Sequence, residues 1–142
     1  MNILVVDDER EILDELRGFL SRRGHTVMCV DGAMAAIRTL GQDGPFDVLL
    51  TDIRMPDGSG LEVVRACLDT QPQTASYVMS GHAGPDEIAQ ARNDGALDYF
   101  PKPVALRSLM EVLAGMARDR DGRAEIHATA PPARATARRR KN

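Results

Sequence analysis

The sequence predicts an α/β domain, a doubly wound five-stranded parallel sheet with five helices. Three observations predict it. Short apolar runs rich in β-branched residues alternate with segments of helical period. Runs such as Ile3–Val6 and Val48–Leu50 lack polar alternation, so they read as strands buried on both faces. Carboxylates, hydroxyls and turn residues follow the runs directly, at the strand ends where open α/β sheets place their sites.

A chain of 142 residues, 43% hydrophobic and 27% charged, is of globular composition and suits one domain with a short appendage. It has no Trp and few aromatics, so the expected core is aliphatic. Cys29 and Cys67 form no C-x-x-C pair and read as two buried thiols in a reducing compartment. No basic-then-apolar start and no membrane-length run is present, which leads to the expectation of a cytoplasmic protein without membrane insertion. Charge is uneven: up to Ala117 there are 10 Lys/Arg against 18 Asp/Glu, and from Arg118 onward 8 against 3. The expected organisation is a domain over 1–117 and a basic, unfolded tail over 118–142, where Ala, Thr, Pro and Arg dominate and periodicity stops.

The first strand, Asn2–Val6, ends in Asp7-Asp8-Glu9. The helix after it has Ile12, Leu13, Leu16, Phe19 and Leu20 at helical spacing, with acidic first turns that the helix dipole favours. Thr26–Val30 is the second strand, and Asp31-Gly32 turns the chain into an Ala-rich helix that reaches about Leu40. The third strand runs from Val48 into Asp52, and the Met55-Pro56-Asp57-Gly58-Ser59-Gly60 turn leads to a helix with Leu61, Val64, Cys67 and Leu68. Ser76–Ser80 is the fourth strand; Pro85 opens the next helix and Gly95 ends it. Asp98–Phe100 is a short fifth strand, followed by Pro101-Lys102-Pro103 and a last helix with Leu106, Leu109, Val112, Leu113 and Met116. The methionines fall mostly in apolar segments and read as core or core-edge packing.

If the first and third strands are neighbours, Asp7, Asp8 and Asp52 converge at one rim. Three carboxylates repel strongly at low dielectric, and a hard, oxygen-seeking cation relieves this; Mg²⁺ fits best because it keeps sites for water and phosphate. Lys102 leaves the fifth strand at the same end, its backbone restricted by a proline on either side, and Ser80 ends the fourth. Metal, cation, hydroxyl and a free carboxylate together suit phosphoryl transfer, with Asp52 as nucleophile. Taken singly each has a plainer reading: Asp7-Asp8 as a helix cap, Lys102 as a surface lysine, Ser80 as the start of a turn, Tyr99 as a core-edge aromatic. His25, His82 and His127 are dispersed without ligand spacing.

Asp7-Asp8, then Asp52-Ile53-Arg54-Met55-Pro56 with Gly58 and Gly60, then Ser80-Gly81-His82-Ala83, then Gly95-Ala96-Leu97-Asp98-Tyr99 and Lys102-Pro103, together resemble the receiver domain of two-component response regulators. The resemblance covers roughly 1–117 and implies the flavodoxin-like order 2-1-3-4-5. It implies that Asp52 accepts a phosphoryl group from a partner's phosphohistidine, and that Asp8, Asp7 through water, Asp52 and the backbone carbonyl of Arg54 hold Mg²⁺. Lys102 would pair with a phosphoryl oxygen, preceding a cis bond to Pro103; Ser80 would hydrogen-bond the group and Tyr99 would rotate inward. Ser80 stands where Thr is more frequent, and Arg54 and His82 occupy variable positions bordering the phosphate.

The function expected is that of a single-domain response regulator and not of an enzyme with an external substrate. A sensor histidine kinase or histidine phosphotransfer protein would phosphorylate it. The face formed by its fourth helix, fifth strand and fifth helix would then control a target protein or relay phosphate, as a monomer or a phosphorylation-dependent dimer. Nucleic acid is not an expected partner, because the basic tail lacks aromatics, a helix-turn-helix pattern and the length of a domain. Two other readings are a phosphorylation-independent scaffold and a Mg²⁺-dependent phosphotransferase. Arg54 disfavours the latter, standing where such enzymes place a second acid.

Overall fold

The computed structural model describes the backbone of residues 1–129 and the side chains of residues 1–120. Its elements are β1 (Asn2–Val6), α1 (Arg10–Ser21), β2 (Thr26–Val30), α2 (Ala33–Gln42), β3 (Val48–Asp52), β4 (Arg54–Met55), β5 (Gly58–Ser59), α3 (Gly60–Thr70), β6 (Ala75–Ser80), α4 (Pro85–Asn93), β7 (Ala96–Pro101) and α5 (Leu106–Thr129). The chain comprises a unit over Met1–Ala105, which holds every strand, and a second that begins at Leu106 with α5.

Five strands form one parallel sheet in the order β2-β1-β3-β6-β7. Counting only the strands of that sheet, this is the 2-1-3-4-5 order that the sequence implied, a flavodoxin-like fold. Successive crossovers leave β1 in opposite directions, so the topological switch point lies between β1 and β3. Val6 pairs with Thr51 there, which brings Asp7 and Asp52, one residue further on in each strand, to the same rim.

Strand period explains the two-sided core. Leu4 and Val6 of β1 share a buried cluster with Leu49, Val78, Ala36, Leu40, Val63, Val64, Cys67 and Ala91, so this face is covered by α2, α3 and α4. Ile3 and Val5, equally buried, lie outside that cluster, as do the buried Leu13, Leu16, Phe19 and Leu20 of α1. Each fully buried Leu, Ile or Val contributes about 1.5–3 kcal/mol. A continuous apolar strand is the form such a sheet demands.

Three findings correct or extend the expectations. The turn after Asp52 contains a small antiparallel ribbon, β4 against β5, with Arg54 opposite Ser59 and Met55 opposite Gly58. Strands of two residues carry no period for a sequence to reveal. The last helix does not stop near Ala117: α5 continues to Thr129, so the first part of the expected tail is helical. The stretch is mostly polar and has no hydrophobic period, yet it includes three Arg and two Ala, which favour helix, and meets no proline before Pro131. The remainder of that expected tail lies outside the described residues. Finally, β2 is an edge strand, so Cys29 is only half-buried and Met28 is exposed; Met34 and Met110 are exposed too, whereas Met55 and Met79 are core.

Two glycines are required by position. Gly95 closes α4 with φ +120°, a left-handed conformation that other residues resist. Gly60 opens α3 directly under the end of β3: a Cβ there would run into the carbonyl oxygen of Asp52. Among the described residues, no helix is long and apolar enough to cross a membrane.

Candidate functional site

Each member of the site sits where a strand of the main sheet ends. The N–H of Asp7 donates to Val30 O (3.2 Å), extending the β1–β2 ladder by one bond and fixing Asp7 at the rim. Asp52 is the last residue of β3; the next N–H, of Ile53, donates to Met79 O (3.1 Å). The Lys102 N–H donates to Ser80 O (2.9 Å), which joins the ends of β6 and β7. Gly60 N–H donates to Ile53 O (2.7 Å), drawing the start of α3 against the loop after Asp52. α3 is capped reciprocally there: Ser59 Oγ accepts from Leu61 N–H, and the Glu62 carboxylate from Ser59 N–H, both at 3.0 Å.

The structure brings together the carboxylates that the sequence grouped. Asp7, Asp8 and Asp52 each offer an oxygen within 4.8 Å of the others. Asp7 is fully buried and Asp52 6% exposed, whereas Asp8 is open to solvent. Lys102 Nζ lies 2.7 Å from Asp7 Oδ2 and 3.2 Å from Asp52 Oδ2, bridging the two buried acids. Asp7 Oδ1 accepts from Glu9 N–H (2.9 Å), while Oδ2, though in ion-pair contact with Lys102, accepts no well-aligned hydrogen bond.

The electrostatics follow from burial and neighbours. Desolvation and the charge of Asp7 push the Asp52 carboxyl above its ordinary range, against the opposing pull of Lys102. Burial alone would lower the Lys102 ammonium. The close contact and charge of Asp7, and then those of Asp52, more than offset it, so Lys102 is held above its usual value. Asp52 is thus a carboxylate whose charged form the fold disfavours, with an incompletely satisfied buried acid beside it. A donor set of three carboxylates, one with an unsatisfied buried oxygen, fits a hard divalent cation. Asp7, Asp8 and Asp52 would hold it, and a bound Mg²⁺ would neutralise charge at Asp52.

The remaining residues expected at the site fall into place to different degrees. Ser80 is buried, and its hydroxyl accepts from His82 N–H (3.2 Å), which leaves its own proton to donate. Tyr99 is already turned inward: half-buried against the core, it donates from its hydroxyl to Ser80 O (3.2 Å). The Lys102–Pro103 bond is cis, as the resemblance implied. Arg54 follows Asp52 closely, but its guanidinium points to Glu87 Oε1 (2.9 Å) and is largely exposed.

Three participants escaped the sequence reading. Glu9, read only as a dipole partner of its helix, approaches Lys102 Nζ at 3.4 Å and adds a fourth carboxylate. Its position directly after Asp7-Asp8 was the available signal. Glu87 pairs with Arg54 across 33 residues, and no local pattern announces that. Asp57, in the turn after the acceptor, accepts from Ala33 N–H (2.9 Å) and Met34 N–H (3.0 Å), and so caps α2.

A flavodoxin-like sheet with an acidic trio and a fixed lysine at its switch point has the architecture of a receiver domain. The chain belongs to the response regulator receiver domain family, whose model matches residues 3–114. The response regulator protein PilR of Pseudomonas aeruginosa is similar, 37% identical over 122 residues that cover 86% of this chain and 27% of PilR. Response regulator MprA of Mycobacterium ulcerans is 35% identical over 118 residues, covering 83% and 50%. The chain therefore spans between about a quarter and a half of the length of these curated relatives. Among solved structures, a CheY-like receiver domain protein from Methanospirillum hungatei superposes with a TM-score of 0.80 at 27% identity, covering 86% of this chain and 97% of that one. A response regulator from Burkholderia pseudomallei, described with a phosphorylated aspartic acid, a calcium ion and citrate, gives 0.73 at 29% identity and covers 83% and 74%.

Proposed function

We propose that this chain is a phosphorylation-controlled switch that accepts a phosphoryl group on Asp52. The observation that carries the reading is the Lys102 bridge: one fixed ammonium within 3.2 Å of the acceptor carboxylate and 2.7 Å of Asp7, with three carboxylate oxygens clustered within 4.8 Å. The donor is the phosphohistidine of a sensor kinase or phosphotransfer protein. An oxygen of Asp52 forms the new P–O bond as the donor's P–N bond breaks, and the departing imidazole takes up a proton. Lys102 neutralises a phosphoryl oxygen, and the bound metal supplies charge neutralisation at the same centre. The Burkholderia structure, described with both a phosphorylated aspartic acid and a calcium ion, offers a precedent on this fold.

Transfer changes what the rim must satisfy. The new oxygens are acceptors for the Ser80 hydroxyl proton, and Tyr99 is tied to the Ser80 carbonyl, so movement at Ser80 is felt at Tyr99. A downstream target reads that change. Asp52, Lys102 and Ser80 do the chemistry; Ser80 and Tyr99 report it; Asp7, Asp8, Asp52 and the Arg54 backbone carbonyl would hold the metal, which would supply charge neutralisation. The chain catalyses only its own phosphorylation and dephosphorylation.

Intact mass after incubation with acetyl phosphate tests the reading. One phosphoryl increment that needs Mg²⁺ and is absent in Asp52→Asn is the expected result. If the wild type shows no increment, and beryllofluoride with Mg²⁺ leaves the amide spectrum at Ser80, Tyr99 and Lys102 unchanged, the chain is a scaffold that kept the fold.

A further inference from the structure

We propose that the Arg54–Glu87 ion pair is a charge-operated latch on α4, which opens when Arg54 turns from Glu87 to a phosphoryl group on Asp52. The proposal rests on Asp52 being the phosphoacceptor and adds a second route by which that event reaches α4.

α4 is lightly held. Ala91 is the buried residue of its nine, and its N-cap, Gly84, has no side chain to offer the first turn. Its far end is secured by side chains: Arg65 pairs with Asp94 at 2.8 Å, Gln90 donates to Asp94 at 3.1 Å, and Arg92 pairs with Asp98 at 3.2 Å. Among the described residues, the side-chain tie from the first turn to another element is Glu87 Oε1 to Arg54 Nη2, at 2.9 Å. That tie starts from β4, two residues past Asp52.

The balance of charges makes the tie reversible. The Arg54 side chain is 64% exposed, so its pairing with Glu87 is weak and its guanidinium can move. A phosphoryl group on Asp52 carries nearly two negative charges in place of the carboxylate's one, with several acceptor oxygens, which a guanidinium fork engages better than a single carboxylate. The Glu87 side chain is 25% exposed in the pair, and on release it is compensated by the dipole of the helix's first turn and by turning outward to water. The competition therefore favours the phosphoryl group, and the first turn of α4 is left without its tie.

Amide hydrogen exchange on the full chain reads the latch. The N–H of Ile88 donates to Gly84 O at 3.0 Å, the first hydrogen bond of the helix, so its exchange reports opening of that turn. In the wild type, Mg²⁺ with beryllofluoride should speed Ile88 exchange by about two- to fivefold, the range expected for loss of an exposed pair. Glu87→Gln and Arg54→Gln should each show that faster exchange without beryllofluoride, and little further change with it. Unchanged Ile88 exchange in Glu87→Gln, or a full beryllofluoride response in Arg54→Gln, overturns the latch. Beryllofluoride-dependent shifts at Ser80 and Lys102 separate the two levels. If the wild type shows them while Ile88 exchange is unaltered, the latch alone fails; if it shows none, the phosphoacceptor reading and the latch fall together.

Discussion

Lys102 is the residue on which the rim depends. Its ammonium lies between two buried acids, so removing it leaves Asp7 and Asp52 facing each other in a low-dielectric setting. Lys102→Met is expected to lower unfolding free energy by about 2 kcal/mol in chelator at neutral pH, read from urea midpoints, and to abolish phosphorylation. Asp52→Asn should do the opposite to stability. Burial and Asp7 raise the Asp52 carboxyl, which means its charged form is less favourable folded than unfolded, so the neutral amide should raise the urea midpoint at pH 7. A variant that is more stable yet unable to accept phosphate would mark Asp52 as a group kept for function. An unchanged or lower midpoint would contradict that electrostatic account.

At the scale of elements, the turn from β3 to α3 holds the site in position. Gly60→Ala forces a methyl group against the Asp52 carbonyl oxygen, so either β3 or α3 must give way. The expected cost is about 1–3 kcal/mol, with slower phosphorylation by acetyl phosphate because the acceptor shifts with its strand end. In the same turn, the N–H groups of Met34 and then Ala33 hold the Asp57 carboxyl below its ordinary value. A depressed folded value means the cap stabilises fully above the unfolded-chain pKa, near 3.8, and is lost as pH falls through the folded one. Asp57→Ala should therefore lower the thermal midpoint by a similar margin from about pH 5 to 7, and the gap should close in the acid range. A gap that persists there would point to a packing effect instead. None of these links was readable locally. Asp57-Gly58 spells a turn whatever its carboxylate does, and the Arg54–Glu87 pair joins residues with no periodic relation.

The whole molecule was more legible than its parts. Strands buried on both faces tend to lack polar alternation, and Ile3–Val6 of β1 and Val48–Leu50 of β3 do, so these strands were legible. Ser76 and Ser80 interrupt β6, and the convergence of Asp7 with Asp52 depended on β1 and β3 being neighbours. Strand order needed the motifs in register, because no single strand records its neighbours. The helical continuation past Ala117 was hidden because a polar helix has no stripe. The long-range counterpart of the local acid cluster is the excess of Asp and Glu up to Ala117, 18 against 10 Lys and Arg. Mg²⁺ should stabilise the protein by mass action, by about 1.4 kcal/mol at ten times its dissociation constant, with a single saturating midpoint shift in melting curves. Asp8→Ala, removing the exposed carboxylate of the trio, should abolish the shift and, by relieving repulsion on Asp52, raise the metal-free midpoint slightly; a shift that survives would place the cation elsewhere.

The cap on α2 has one more consequence, for how the chain is assembled. α2 begins at Ala33, but the carboxylate that satisfies its first N–H groups arrives 24 residues later, after β3 has been laid beside β1. A fragment ending at Gln42 retains every bond within α2 and still has an open N-terminus. The helix is complete only once the polypeptide has passed Asp52, so a nascent chain emerging from the ribosome acquires the end of α2 and the Asp52–Gly60 turn together.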